Sequence, residues 1–238
     1  MAVVTSSKRI NDPELVAREY ATLDRLRQRR LDRTGWLRDA GEPIDTMLEA
    51  VAETHPRRVL DAGCGTGEIA GLLTAPEVMC IDLSSAAVEA ARSRGLDARV
   101  ADVQSLPFDD GEFDVVLGNW MLYHLPDLDR GLAEIARVLR PHGRFVGCYN
   151  REGHMSELWT VVDPDSDHGD DYREPLKRSF AHVECRDTEG EVAWLTRDDL
   201  QRYLDAYAGP LAERRLTAPA GPYPFIARRR NCVWVADR

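Results

Sequence analysis

No apolar run in the chain approaches the roughly 20 residues that a membrane-spanning helix needs. Residues Met1 to Ile10 also lack the apolar core of a secretory signal. A cytoplasmic protein that does not enter a membrane is the expectation. Positive charge is not in excess: 31 Lys and Arg stand against 41 Asp and Glu, a formal net charge of −10. That balance excludes a general affinity for nucleic acid or for anionic membrane. No internal repeat or low-complexity tract is present. Cysteine is sparse, with five residues at no metal-ligand spacing. Cys80, Cys148 and Cys232 fall in expected strands as small buried hydrophobes, so the reading is a reducing setting without disulfides. His168 lies among Asp163, Asp165, Asp167, Asp170 and Asp171, but the EF-hand spacing, glycine and final glutamate are missing. A solvated acidic loop is expected there, and no metal.

What the chain does have is a glycine-rich turn between apolar segments, Val59-Leu60-Asp61-Ala62-Gly63-Cys64-Gly65-Thr66-Gly67-Glu68. It reads as a buried strand, a turn that lets backbone approach a ligand, and the start of a helix. From Arg58 onward the pattern alternates. Strands are expected near 58–62, 78–82, 98–101, 113–118 and 143–149, with helices near 66–73, 84–94 and 128–139. Leu128, Leu132, Ile135 and Leu139 form one apolar stripe on the last of these. Strands alternating with helices imply βαβ units and a parallel sheet. After Asn150 the alternation breaks. A loop-rich stretch, a strand near 181–187 that resumes at 191–196 after a bend at Gly190, a helix near 197–207 and a last strand at 231–236 suggest a terminal antiparallel hairpin. The triple arginine Arg228 to Arg230 reads as a turn. Before the sheet, Asp12-Pro13-Glu14 starts one helix, which becomes strongly basic, and Pro43 starts another that runs to about His55. Residues 1–57 are thus read as an N-terminal helical cap on a domain spanning 58–238, with an inserted lid at about 151–180.

In open α/β sheets ligands lie beyond the carboxyl ends of the strands. Those ends carry Asp61 with the glycine turn, then Asp82, Asp102, Asn119 and Tyr149-Asn150. Three acids on three successive strand ends would repel one another unless a cationic or hydroxyl-rich ligand satisfied them. A nicotinamide or flavin dinucleotide would call for G-x-G-x-x-G, with its third glycine against the helix. The chain instead has Glu68 at that position, where an acid would face a pyrophosphate. The pattern favours a ligand without phosphates.

Here the sequence resembles the class I S-adenosylmethionine-dependent methyltransferases, of the UbiE-like small-molecule type. Asp61-Ala62-Gly63-Cys64-Gly65-Thr66-Gly67 resembles their first motif and Asp82-Leu83-Ser84 their second. Ala101-Asp102 with Leu106-Pro107-Phe108-Asp109, and Phe113-Asp114-Val115-Val116, resemble the third and fourth. Tyr123-His124-Leu125-Pro126-Asp127 and Val138-Leu139-Arg140-Pro141-His142-Gly143 are similar to the segments that follow. The likeness spans about residues 58–147; His142 and Trp120 depart from the family's usual residues.

The resemblance implies a Rossmann-like, doubly wound, mostly parallel seven-stranded sheet, with an antiparallel C-terminal edge hairpin and an N-terminal helical lid. It implies S-adenosyl-L-methionine as the cofactor. Gly63, Gly65 and Gly67 would pass along the methionine moiety and Asp61 would meet its amino group. Asp82 would accept both ribose hydroxyls. Leu83 and Val103 would sandwich adenine, Asp102 would accept from its amino group, and Asn119 would face the methionine end or the acceptor. Trp120, Tyr149 and Asn150 would line the acceptor pocket.

Methyl transfer from a sulfonium mainly requires alignment and exclusion of water. A hydroxyl acceptor would gain from a base. His124 after the fourth strand and Tyr20 on the N-terminal helix are the candidates, each with a plain packing role as the competing reading. The expected activity is transfer of a methyl group to an O, N or C atom of a small molecule, with neither nucleic acid nor membrane as partner. The sequence leaves monomer and homodimer equally open. A non-methylating reaction in the same pocket, such as a cyclisation, and a non-catalytic cofactor-binding subunit are the alternatives.

Overall fold

The computed structural model describes residues 11–12, 14, 16, 37–38, 43–164, 169–207 and 216–238. Among these residues, eight strands form one sheet in the order β1 (Leu37–Arg38), β7 (His182–Trp194), β8 (Phe225–Asp237), β6 (Leu139–Asn150), β5 (Phe113–Leu117), β2 (Arg58–Ala62), β3 (Glu77–Asp82) and β4 (Asp97–Val100). Strands β2 to β6 pair in parallel, and β8 runs antiparallel to both β6 and β7. The expected seven strands and terminal hairpin are therefore present. The two-residue β1 joins them by pairing antiparallel with β7.

The chain steps outward from β2 to β3 and β4, then returns to place β5 on the other side of β2. That reversal opens the ligand crevice between β2 and β5. Both strands are fully buried over Val59–Ala62 and Phe113–Leu117, as central parallel strands covered on both faces must be.

Helices cover the two faces. On one, α1 (Pro43–Ala52) sets Met47, Ala50 and Val51 against Val115, Leu117, Val146, Cys148, Val233 and Val235. On the other, α3 (Leu128–Val138) lays Leu132, Ile135 and Val138 on Leu60, Phe113 and Phe145. Each such fully buried aliphatic side chain contributes about 1.5–3 kcal/mol. Asp127 caps α3 by accepting from the Arg130 amide at 3.0 Å. Near β3 and β4, α2 (Ser85–Ser93) inserts Ala87, Val88 and Ala91, small residues that let it sit close to Cys80 and Ala98. Helix α5 (Arg173–Lys177) follows α4 (Ser156–Val162) in the region expected as a lid. Helix α4 meets α6 (Arg197–Tyr207) over the hairpin around Trp194.

Several expectations are corrected. The helix foreseen at 66–73 is only a single 3-10 turn, Ala70–Leu72. The glycine turn and the extended approach to Pro76 occupy most of the connection, leaving too few residues for a longer helix. Strand β7 runs through Gly190 without a break, in register with β8. The arginines 228–230 are not a turn but part of β8, opposite Glu191, Gly190 and Glu189. Cross-strand pairing of opposite charges favours the strand, and Arg230 makes an ion pair with Glu189 at 3.4 Å. Cys185 and Cys232 are joined by a disulfide between β7 and β8, so the expectation of five free thiols does not hold. The helix expected from Asp12, including Tyr20, lies mostly outside the described residues, as does His168.

Candidate active site

At the end of β2 the chain turns through Gly63, Gly65 and Gly67, whose φ angles are +75°, +55° and +76°. These are left-handed values that glycine adopts without steric cost. A Cβ on Gly67 would lie 2.4 Å from Leu96 Cδ1 and 3.1 Å from Ala91 Cβ, so the turn is also pressed against α2. The amides of Gly63 and Cys64 donate to the carbonyl of Ile81 at 2.8 and 2.9 Å. This ties the turn to the end of β3.

The carboxylate of Asp82 completes that tie. Oδ2 accepts from the Gly65 amide at 2.9 Å and Oδ1 from the Ser84 amide at 2.8 Å. Each oxygen keeps lone-pair capacity, because a carboxylate has about four acceptor sites. Burial pushes the Asp82 carboxyl up from its ordinary value, and the two amides pull it partly back. Next to it in the chain, Leu83 is a large apolar side chain that is 60% exposed. Asp61 is buried at the neighbouring strand end, 2% exposed. The Cys64 thiol is pushed far up, first by the Cys80 thiol and then by burial. It is a neutral packing group rather than a nucleophile.

Asp102, after β4, caps the 3-10 turn Val103–Ser105 by accepting from the Gln104 amide at 2.8 Å. The Gln104 side chain also reaches both Asp102 oxygens at 3.3 Å, while its own oxygen accepts from the Asp127 amide at 2.9 Å. Gln104 thus couples the Asp102 carboxylate to the cap of α3. Sequence reading missed it, although its place two residues after an acid was a signal for the backbone bond. Val103 is buried in the core with Leu60, Ala62 and Ile81.

The remaining expected residues divide. Asn119 is built into the fold: its amide nitrogen lies 3.1 Å from Met47 Sδ and its oxygen accepts from the Cys148 amide at 2.9 Å. Tyr149 is wholly buried in the core. Its hydroxyl donates to the Gly118 carbonyl, accepts from the Leu122 amide at 3.4 Å, and is pushed well up by burial. The structure does not bring it to an open face. Trp120 and Asn150 do come together, with the indole N–H donating to Asn150 Oδ1 at 3.3 Å. His124 closes the 3-10 turn Leu122–His124 after β5, its ring 4.4 Å from that of Tyr123. Tyr20 lies outside the described residues.

The donor set suits the cofactor that the resemblance implies. Two oxygens of Asp82 match a vicinal diol, Leu83 offers apolar surface to a flat ring, and the glycine turn admits close backbone approach. No phosphate-binding helix terminus is built, because the helix after the turn is a single 3-10 turn.

Comparison with known proteins agrees. Residues 60–147 match the family described as "Methyltransferase domain". The malonyl-[acyl-carrier protein] O-methyltransferase of Methylococcus capsulatus is 34% identical over 138 residues, 53% of this chain and 50% of that protein. Methyltransferase GfsG of Streptomyces halstedii is 38% identical over 139 residues, 53% of this chain and 50% of that protein. The chain therefore spans about half the length of the curated relatives it matches. Among solved structures, the [4+2]-cyclase SpnF superposes with a TM-score of 0.59 at 21% identity, covering 94% of this chain and 96% of that one. That likeness concerns the fold. No helix among the described residues is long and apolar enough to cross a membrane.

Proposed function

We propose that the protein transfers a methyl group from S-adenosylmethionine to an O, N or C atom of a small molecule. The observation that carries this reading is the Asp82 clamp, a half-buried carboxylate that fixes the glycine turn at Gly65 while retaining acceptor capacity on both oxygens. Asp82 holds the ribose hydroxyls and Leu83 one side of the adenine. Asp102, oriented by Gln104, accepts from the adenine amino group. Asp61 meets the methionine amino group along the path of Gly63, Gly65 and Gly67. The bound cofactor supplies an electrophilic methyl on a sulfonium, and the chain's task is to align the acceptor and exclude water.

His124, in the 3-10 turn after β5, serves as general base where the acceptor is a hydroxyl. The names of the relatives support a methyl-transfer reaction, O-directed in the malonyl-[acyl-carrier protein] O-methyltransferase. The likeness to a cyclase rests on fold alone and carries no separate reading. Incubation with methyl-labelled S-adenosylmethionine and a metabolite extract tests the proposal. Label appearing in a small molecule whose mass rises by one methylene supports it; a product of unchanged mass sinks it.

A further inference from the structure

Strand pairing sets a row of polar side chains across the sheet at the end of β6. Asn150 stands opposite Asn231 of β8, and Asn231 opposite Thr188 of β7. Directly opposed residues of antiparallel strands share a face with their Cβ atoms about 4.5–5.5 Å apart, so these three side chains are neighbours. The row starts at Trp120. Asn150 Oδ1 accepts both from the Trp120 indole and, at 3.0 Å, from Asn231 Nδ2. It ends on two atoms without a hydrogen-bond partner, Asn231 Oδ1 and Thr188 Oγ1. Both residues are buried, 2% and 8% exposed.

A buried polar atom left unsatisfied costs about 1–3 kcal/mol. Two on adjacent side chains, at the end of a connected polar row, mark a place where something else completes the bonding. Thr188 and Asn231 also line a cavity of about 360 Å³, within the usual range for small-molecule sites. Its charged walls form two pairs, Arg151 with Asp187 and Arg230 with Glu189, and Glu152 adds one further acid. A net anion would meet that acid or have to break one of these pairs, and a cation would be drawn to the acid rather than to the two unpartnered atoms. Asn231 Oδ1 can only accept, so the ligand must bring a donor; a hydroxyl does so without charge, and a second one can satisfy Thr188 in either sense.

We propose that the Asn231–Thr188 cavity is an acceptor subsite for a neutral molecule carrying neighbouring hydroxyls. This rests on the methyltransferase reading above. The subsite lies two strands from β5, roughly 10 Å across the sheet at the usual strand spacing. The recognised hydroxyls are therefore remote from the methylated atom, and the acceptor is long enough to reach both.

The test uses the full chain with and without bound S-adenosylhomocysteine, titrated by saturation-transfer NMR with methyl α-glucoside, glucuronate and glucosamine. Methyl α-glucoside should bind saturably and more tightly than the two charged sugars. Thr188→Val, nearly isosteric, and Asn231→Leu should each weaken it about threefold to tenfold, the loss of one hydrogen bond, leaving affinity for S-adenosylhomocysteine unchanged. Absence of saturable binding, unchanged affinity in Thr188→Val, or a preference for a charged sugar overturns the subsite. Failure of S-adenosylhomocysteine to bind the wild type counts instead against the methyltransferase reading, and the cofactor-free titration still decides the subsite.

Discussion

Asp82 Oδ2 accepts from the amide of Gly65 at 2.9 Å, joining the end of β3 to the turn that follows β2. With Ser84 on the other oxygen, one side chain both shapes the glycine turn and presents acceptors to a ligand. Asp82→Ala should therefore remove the diol acceptors and loosen the turn together. Two hydrogen bonds to a charged group, each about 1.5–3 kcal/mol, correspond to a loss of roughly a hundredfold or more in affinity for S-adenosylmethionine. Isothermal calorimetry would show it, and wild-type affinity in the variant would remove Asp82 from the cofactor site.

The same carboxyl makes binding sensitive to pH. Burial raises its pKa above the ordinary aspartate value. As pH falls through that raised value, the group takes up a proton and one oxygen ceases to accept from a ribose hydroxyl. Cofactor affinity should decline with a midpoint higher than that of an exposed aspartate, and be fully present well above it. A calorimetric pH series would measure the midpoint; a flat profile down to the ordinary carboxylate range would contradict the assignment.

Gly67 has φ +76° and no space for a Cβ, whereas a Cβ on Gly71 would meet nothing within 4 Å. Gly67→Ala should destabilise the fold by about 1–3 kcal/mol through backbone strain and the clash with Leu96. Gly71→Ala should be neutral or slightly stabilising. Urea denaturation of the two variants makes the comparison, and equal stability would mean the turn tolerates a side chain.

Glu53 follows α1 and bridges two strands, meeting Arg144 of β6 at 2.8 Å and Arg186 of β7 at 2.6 Å. Its carboxyl is held down to about 2, chiefly by the hydrogen bond from Arg186. A depressed carboxyl stabilises the fold above its unfolded pKa and loses that contribution as pH falls toward the folded value. The window here runs from about 4.5 down to about 2. Because the side chain is 48% exposed, solvent screening keeps the effect below about 1 kcal/mol. Glu53→Gln should flatten the acid limb of stability against pH by that amount, read from urea midpoints. An unchanged acid limb would show that the bridge contributes nothing.

The amino-acid sequence by itself determined the alternation from Arg58 to Asn150, because apolar segments of strand and helix length are separated by turn residues that admit few other arrangements. It also determined where the strands stop: Asp61, Asp82 and Asp102 each close a short apolar run, and local chemistry fixes where such a run must end. A preference for a ligand without phosphates was legible too, from Glu68 standing where a phosphate-binding turn needs glycine. The tertiary structure decided what depended on partners distant in the chain. Asn119 and Tyr149 were expected at an open face, but their polar atoms are used by Cys148 and Gly118 within the core. The arginines 228–230 are strand, with acids of β7 opposite Arg228 and Arg230. Cys185 and Cys232, 47 residues apart, were brought together by that same pairing. The row from Trp120 to Thr188 joins four segments whose spacing in the sequence carries no signal, since each contributes one side chain and only strand register makes them neighbours.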